Sequence, residues 1–170
     1  MKMPDAEALL SQLAERMRPQ VSADTALIGI HTGGVWLAER LHRELGLKQP
    51  LGTIDVSFYR DDYESRGLHA RVKPSAIPFE VADADVILVD DVLFTGRTIR
   101  AAINELFDYG RPQRIRLAAL VDRGGRELPI AAQFLGAEVM VGENEQIELQ
   151  KSQDGRLSLL LTPMPAQDRK

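Results

Sequence analysis

An α/β fold, with a mostly parallel sheet flanked by helices, is the class this sequence predicts, and three observations predict it. Short apolar runs, "ALIGI" at 26–30, "VILV" at 86–89 and "IRLAALV" at 115–121, have the length and β-branched content of buried strands. Amphipathic helical stretches at 35–45 and 98–109 separate them. Strands that alternate with helices build parallel sheets with crossover helices, and such sheets bind ligands beyond the carboxyl ends of their strands. Four polar or glycine-rich loops are delivered to that edge: His31-Thr32-Gly33-Gly34, Arg60-Asp61-Asp62, Asp90 through Thr98, and Asp122-Arg123-Gly124-Gly125.

Each element has its own signal. In residues 5–18, Leu9, Leu10, Leu13, Ala14 and Met17 share one helical face, and Pro19 is the stop. Strand 26–30 leads into "HTGG", and helix 35–45 ends at Gly46, which readily takes the left-handed conformation. Trp36 falls in this helix as a core residue. Residues 52–59, "GTIDVSFY", alternate like a half-exposed strand. From Arg60 to Pro78 the chain is charged and turn-rich, a long loop of the kind that serves as a functional lid. After strand 86–89 come Asp90 and Asp91, placed where the strand surfaces, because burying unpaired carboxylates costs several kcal/mol. Helix 98–109 is closed by Gly110, and strand 115–121 follows. Short strands are expected at 138–141, at 146–150, and at 156–161 after an Asp154-Gly155 turn.

Composition bounds the function. The 170 residues suit a single domain with a sizeable core, and 44% hydrophobic with 27% charged content is ordinary for a globular protein. With no cysteine there is neither a disulfide framework nor a thiolate metal site, which fits a reducing cytosol. The start, "MKMPDAEALLSQLAERMRP", does not read as a signal peptide, and no apolar stretch approaches the ~18 residues of a membrane span. A cytoplasmic protein with no membrane partner is expected. A net charge of −4 argues against a general nucleic-acid binder.

The stretch "VILVDDVLFTGRT", 86–98, concentrates the chemistry. Thr95-Gly96-Arg97-Thr98 stands at the start of a helix, whose unsatisfied N–H groups and partial positive charge bind phosphate. Gly96 lets the backbone approach an anion, and the two threonine hydroxyls add donors. Asp90 and Asp91 are acceptors, suited to sugar hydroxyls or to a hydrated metal. The plainer reading is a helix cap by Thr95 or Thr98 with solvated aspartates. A receiver domain carries its acidic pair near the chain start, whereas some 85 residues precede this one. A P-loop needs GxxxxGK[ST], and the chain has no Gly-Lys dipeptide.

These residues resemble the phosphoribosyl-pyrophosphate (PRPP) loop of type I phosphoribosyltransferases. With "LIGIHTGGVWLAERL", "IDVSFYRDD" and "LFDYGRPQRIRLAALVDRGGRELPIAAQFLG", residues 5–161 resemble the PyrR family, bacterial pyrimidine regulators that are also uracil phosphoribosyltransferases. The resemblance implies the type I phosphoribosyltransferase fold over 1–170, with a flexible lid at 61–78 and a small C-terminal hood at 122–161. It implies conversion of uracil and PRPP to UMP and pyrophosphate with Mg2+, in a homodimer or higher homo-oligomer. Asp90 and Asp91 would hold the ribose hydroxyls near the reacting carbon and meet the metal through the substrate. Val92, Leu93, Phe94, Thr95, Gly96, Arg97 and Thr98 would cradle the 5′-phosphate. His31, Thr32, Gly33 and Gly34 would form the pyrophosphate loop, and Arg60 would pair with pyrophosphate oxygens. Arg123 and backbone groups around Ile147 would contact the nucleotide. A non-catalytic UMP sensor on the same fold is the alternative.

The family also implies a pyrimidine-operon mRNA as partner, with UMP as co-effector, and here the residues point the other way. Where family RNA binders resemble "RGHRELPIRADYIGK", this chain reads "RGGRELPIAAQFLGA", with Gly125, Ala131 and Ala137 in place of His, Arg and Lys. Arg126 persists, and Arg111, Arg114 and Arg116 form a small cluster at the other end of the sheet.

Overall fold

Five strands, β1 (Ala26–Ile30), β2 (Gly52–Ile54), β3 (Asp85–Leu93), β4 (Arg114–Asp122) and β5 (Phe134–Glu138), pair in parallel in the order β2-β1-β3-β4-β5. The computed structural model describes residues 1–57 and 75–165. Three helices, α1 (Ala6–Met17), α2 (Gly33–Leu45) and α3 (Arg97–Phe107), flank the sheet, and an antiparallel hairpin, β6 (Glu145–Lys151) with β7 (Leu157–Pro163), completes the described chain.

Side-chain alternation divides the core in two. Leu27, Ile87, Val89, Ala118 and Leu120 face one side, where Leu10 and Leu13 of α1 and Leu37 and Leu41 of α2 cover them. Ile28, Ile30, Leu88, Leu117 and Ala119 face the other, under Ile99, Ala102 and Leu106 of α3. A sheet covered on both faces needs strands apolar at every position, which is why these strands read as unbroken apolar runs.

The caps follow their residues. Asp5 accepts from Glu7 N–H at 3.0 Å to start α1. Gly46, at φ 64°, ends α2, with its N–H donating to Arg43 O and Leu47 N–H to His42 O. The hairpin turns through Gly155 at φ 86°, as the Asp154-Gly155 pair predicts. Its residues Ile147, Leu149, Leu157 and Leu159 join the α1 side of the core. Glu7 of α1 accepts from Leu157 N–H at 2.8 Å and pairs with Arg40 of α2 at 2.7 Å, so one carboxylate ties two helices to the hairpin.

Some boundaries differ from expectation. β2 stops at Ile54, and positions 58–59 of the strand expected there lie outside the described residues. α3 ends at Phe107 with Asp108 as its cap, so Gly110, at φ 146°, lies beyond the helix rather than closing it. β5 runs 134–138 rather than 138–141. Gly136 within it permits close approach: a Cβ there would stand 2.3 Å from Leu120 O. Arg60 and residues 61–74 of the expected lid lie outside the described residues. At the far end of that lid, Ala76 exchanges two backbone hydrogen bonds with Thr53 of β2, at 2.7 and 2.9 Å.

Two of the three arginines in the basic cluster at the amino end of the sheet share one carboxylate. Arg114 and Arg116 both bond Asp85, which also accepts from Thr25 Oγ1. Partial burial pushes the Asp85 carboxyl up, but those hydrogen bonds and the two guanidinium charges outweigh it and hold the group below its ordinary value.

Candidate active site

The chain leaves β1 toward β2 on one side and leaves β3 toward β4 on the other, so a crevice opens between the carboxyl ends of β1 and β3. Residues 31–34 follow β1 there, and α2 begins directly against β3. A Cβ on Gly34 would stand 2.3 Å from Val89 O, and one on Gly33 2.3 Å from Asp91 Oδ2. Only glycine allows α2 to start this close. His31 N–H donates to Ile54 O at 2.9 Å, which fixes the entry of the loop, and the His31–Thr32 peptide is cis.

The aspartates sit deeper than expected. β3 does not surface at Asp90. Its pairing with β4 continues through Asp90↔Ala119, Val92↔Val121 and Leu93↔Asp122, so the backbone stays hydrogen-bonded four residues further. Asp90 is accordingly buried, at 2% exposure, and Asp91 half-buried. The adjacent backbone provides donors: Asp91 N–H donates to Asp90 Oδ1 and Val92 N–H to Asp91 Oδ1, both at 3.0 Å.

Beyond β3 the chain turns through Phe94, Thr95 and Gly96 into α3. Gly96 takes φ 93°, a conformation other residues rarely adopt, and its carbonyl accepts the first helical bond from Arg100 N–H at 3.0 Å. Gly96 is the cap of α3; Thr95, one residue before it, accepts from Arg97 N–H through Oγ1 at 3.2 Å, while its carbonyl accepts from Glu127 and Leu128 N–H. The anion-binding reading survives these bonds, because they engage Thr95 and not Thr98. An open concavity of about 210 Å3 lies here, lined by Asp90, the run Val92–Gly96, Thr98 and Ile99. Arg97 does not line it, since its guanidinium is paired with Glu127 at 2.6 and 2.9 Å.

Arg123, just past β4, is buried at 7% exposure, its N–H donating to Leu93 O at 3.0 Å. Its guanidinium lies over the Phe94 ring, 4.0 Å from the centroid, and its buried Nε has no hydrogen-bond partner among the described residues. Burial pushes this guanidinium below its ordinary value, against the opposing charge of Glu145. Arg126 is held by Asp122, by Phe94 O and by Ile130 O. That network fixes the 122–130 loop and takes Arg126 out of the surface. Ile147 is committed through its side chain to the apolar layer beneath the hairpin.

Of the residues singled out from sequence, the fold thus brings 31–34, 90–98 and Arg123 to the carboxyl edge of the sheet, with Gly33 against Asp91 and Arg123 over Phe94. The stacking of Arg123 on Phe94 and the buttress of Arg126 on Phe94 O went unread. They link positions 29 and 32 residues apart, and no local pattern signals such a contact.

The phosphoribosyl transferase domain family matches residues 4–150. Proteins named bifunctional protein PyrR are similar over most of the chain. The one from Pseudomonas aeruginosa is 50% identical over 153 residues, 88% of this chain and 90% of that protein. The one from Nitrosococcus oceani is 54% identical over 143 residues, 83% of this chain and 81% of that protein. Among solved structures, a purine phosphoribosyltransferase from Pyrococcus horikoshii aligns with a TM-score of 0.60 at 28% identity, covering 79% of this chain and 82% of its own. A hypoxanthine-guanine phosphoribosyltransferase from Bacillus anthracis aligns at 0.65 with 20% identity, covering 82% and 83%, a likeness of fold. With the parallel sheet, the glycine-crowded crevice and the loop into α3, these matches make the chain a member of the type I phosphoribosyltransferase family and, within it, of the PyrR proteins.

Proposed function

We propose that the protein is a uracil phosphoribosyltransferase, joining uracil to PRPP to give UMP and pyrophosphate, and that UMP binding makes it a regulator of pyrimidine gene expression. The observation that carries this reading is the concavity at the start of α3, where Asp90 and a phosphate-sized loop share one wall. In the reaction the C1–oxygen bond to pyrophosphate breaks, the bond from C1 to uracil N1 forms, and the N1 proton leaves to solvent. Positive charge develops on C1 as pyrophosphate departs, so positioning and electrostatics supply most of the acceleration and no protein nucleophile is needed.

The residues take roles that suit this chemistry. Asp90 and Asp91 accept from the ribose hydroxyls and place negative charge near C1. Gly96 and Thr98, with the first free N–H groups of α3, hold the 5′-phosphate. Backbone groups of Thr32 and Gly33 meet the pyrophosphate, with His31 and Gly34 completing that loop and Arg60 adding charge. Arg123 and the backbone about Ile147 contact the nucleotide under a hood formed by the C-terminal segment.

Among the described residues no group of three or more His, Asp or Glu could hold a metal unaided. Two adjacent carboxylates beside a phosphate site do fit Mg2+, which keeps several waters and binds through one or two carboxylates plus substrate oxygens. When bound with PRPP, Mg2+ would neutralise charge building on the leaving group. Asp90 and Asp91 would then meet it through the substrate.

A cysteine-free chain and the absence, among the described residues, of a helix long and apolar enough to cross a membrane suit a cytoplasmic enzyme, assembled as a homodimer or larger. The deciding assay is uracil-dependent pyrophosphate release with Mg2+ and PRPP. Release supports the enzyme. UMP binding without release makes the protein a sensor on the same fold.

A further inference from the structure

Phe94 occupies an unusual position among the residues of its loop. It lines the concavity at the start of α3, yet its ring also supports a guanidinium that belongs to another strand end. Arg123 brings to that ring a buried cation with one N–H lacking any partner among the described residues. Such a group is costly to leave unpaired, so its placement calls for a fixed platform. The residue is held at its backbone and at its ring: Phe94 O accepts from Arg126, and Gly125, at φ 76°, lies so close that a Cβ there would stand 2.5 Å from Phe94 Cε2. Arg123 N–H is itself bonded to Leu93 O, one residue before the ring.

We infer that Phe94 is a positioning residue: its ring holds the Arg123 guanidinium in the orientation that meets the nucleotide. The inference rests on the phosphoribosyl reading above. A cation on an aromatic face is attracted electrostatically, and the attraction grows as water is removed, as it is here. Replacing the ring by an aliphatic chain keeps the apolar wall of the loop but frees the guanidinium to leave its plane. Ligands that need Arg123 then suffer, while ligands that need only the loop do not.

Calorimetry with UMP and with ribose 5-phosphate separates these cases, because only UMP extends from the loop to Arg123. In Phe94→Leu, UMP affinity should fall by about 5- to 30-fold, as a largely desolvated cation–ring contact implies, while ribose 5-phosphate binds within about twofold of the parent. Phe94→Tyr keeps the ring and should hold UMP binding at the parent level, while the unchanged ribose 5-phosphate affinity of Phe94→Leu separates this role from a general loss of packing. Arg123→Met, combined with Phe94→Leu, should weaken UMP no further than Arg123→Met alone. Equal weakening of both ligands in Phe94→Leu, or failure of Phe94→Tyr to hold UMP binding, would overturn the inference and leave Phe94 a wall of the loop. UMP binding by Phe94→Leu at the parent level overturns it alone. A parent protein that binds neither ligand overturns the phosphoribosyl reading and this inference with it.

Discussion

Gly33 and Asp91 meet so closely that a Cβ on the glycine would lie 2.3 Å from Asp91 Oδ2. The start of α2 and the second carboxylate of β3 are therefore set directly against each other. Gly33→Ala should displace one of them. Overpacking of this kind costs about 1–3 kcal/mol, and the displaced group is a proposed reaction partner. The expected result is a protein several degrees less stable in thermal unfolding and at least about tenfold slower in pyrophosphate release.

Asp91→Asn asks for less. The amide keeps much of the hydrogen-bonding geometry and removes a negative charge from beside a carbon that becomes positive. Its effect should appear mainly in kcat, with UMP affinity nearly unchanged, because the lost interaction strengthens only in the transition state. Steady-state kinetics beside UMP calorimetry checks this, and a fall confined to affinity would count against a role near C1.

Thr98→Val tests the phosphate loop, since Thr98 lines the concavity and the bond from Arg97 N–H goes to Thr95 instead. A hydrogen bond to a charged group contributes roughly 1.5–3 kcal/mol, so UMP affinity should drop by about 10- to 150-fold with the fold intact. Parent-like binding would reduce this segment to a helix start.

How much of this was legible beforehand depends on what kind of contact fixed each residue. Leu9, Leu10, Leu13 and Met17 announced α1 because one face of a helix is a local pattern, and all four are buried. Gly46 announced the end of α2 for the same reason. Asp90 was harder. A charged residue after an apolar run reads as a strand surfacing, and only the continued pairing with β4, together with α2 starting on two glycines, buries it. Gly136 serves a close approach to Leu120, which belongs to another strand, so its use leaves no local signal. The converging loops at 31–34, 90–98 and 122–125 could be anticipated from topology. The Phe94–Arg123 stack could not, for it depends on how two strand ends are staggered.

Acid should weaken the junction around Glu7. Hydrogen bonding from Arg40 and from Leu157 N–H holds the Glu7 carboxyl below its ordinary value of 4.5. A carboxyl depressed by folding contributes stability that is present above its unfolded value and is lost as pH falls through the folded one. Glu7→Gln should therefore be less stable than the parent by about 1 kcal/mol at neutral pH, with the gap closing below about pH 4.5. Urea unfolding of both proteins across pH 3–7 measures it, and a gap constant with pH would show that the ion pair contributes nothing.

RNA should bind feebly at physiological salt. Gly125 and Ala131 are exposed and bring no charge, Arg126 is paired with Asp122, and Arg114 and Arg116 share Asp85. Each missing phosphate contact lowers both affinity and salt dependence by about one counterion. Titration of a labelled leader RNA with UMP present should give a shallow salt slope. Tight, sequence-selective binding would show that another surface reads the RNA.

The shared apolar layer of α1 and the β6–β7 hairpin has a consequence for the order of events during synthesis. α1 leaves the ribosome well before the hairpin, yet Leu9, Leu10 and Leu13 share their core with Phe134, Leu149, Leu157 and Leu159, and the Glu7 anchor waits for Leu157. Closing so long a stretch of chain is slow compared with forming a helix. A nascent chain would therefore carry an amphipathic helix with its oily side uncovered for most of translation, which makes that helix the natural handle for a chaperone and the place where a stalled product would begin to clump.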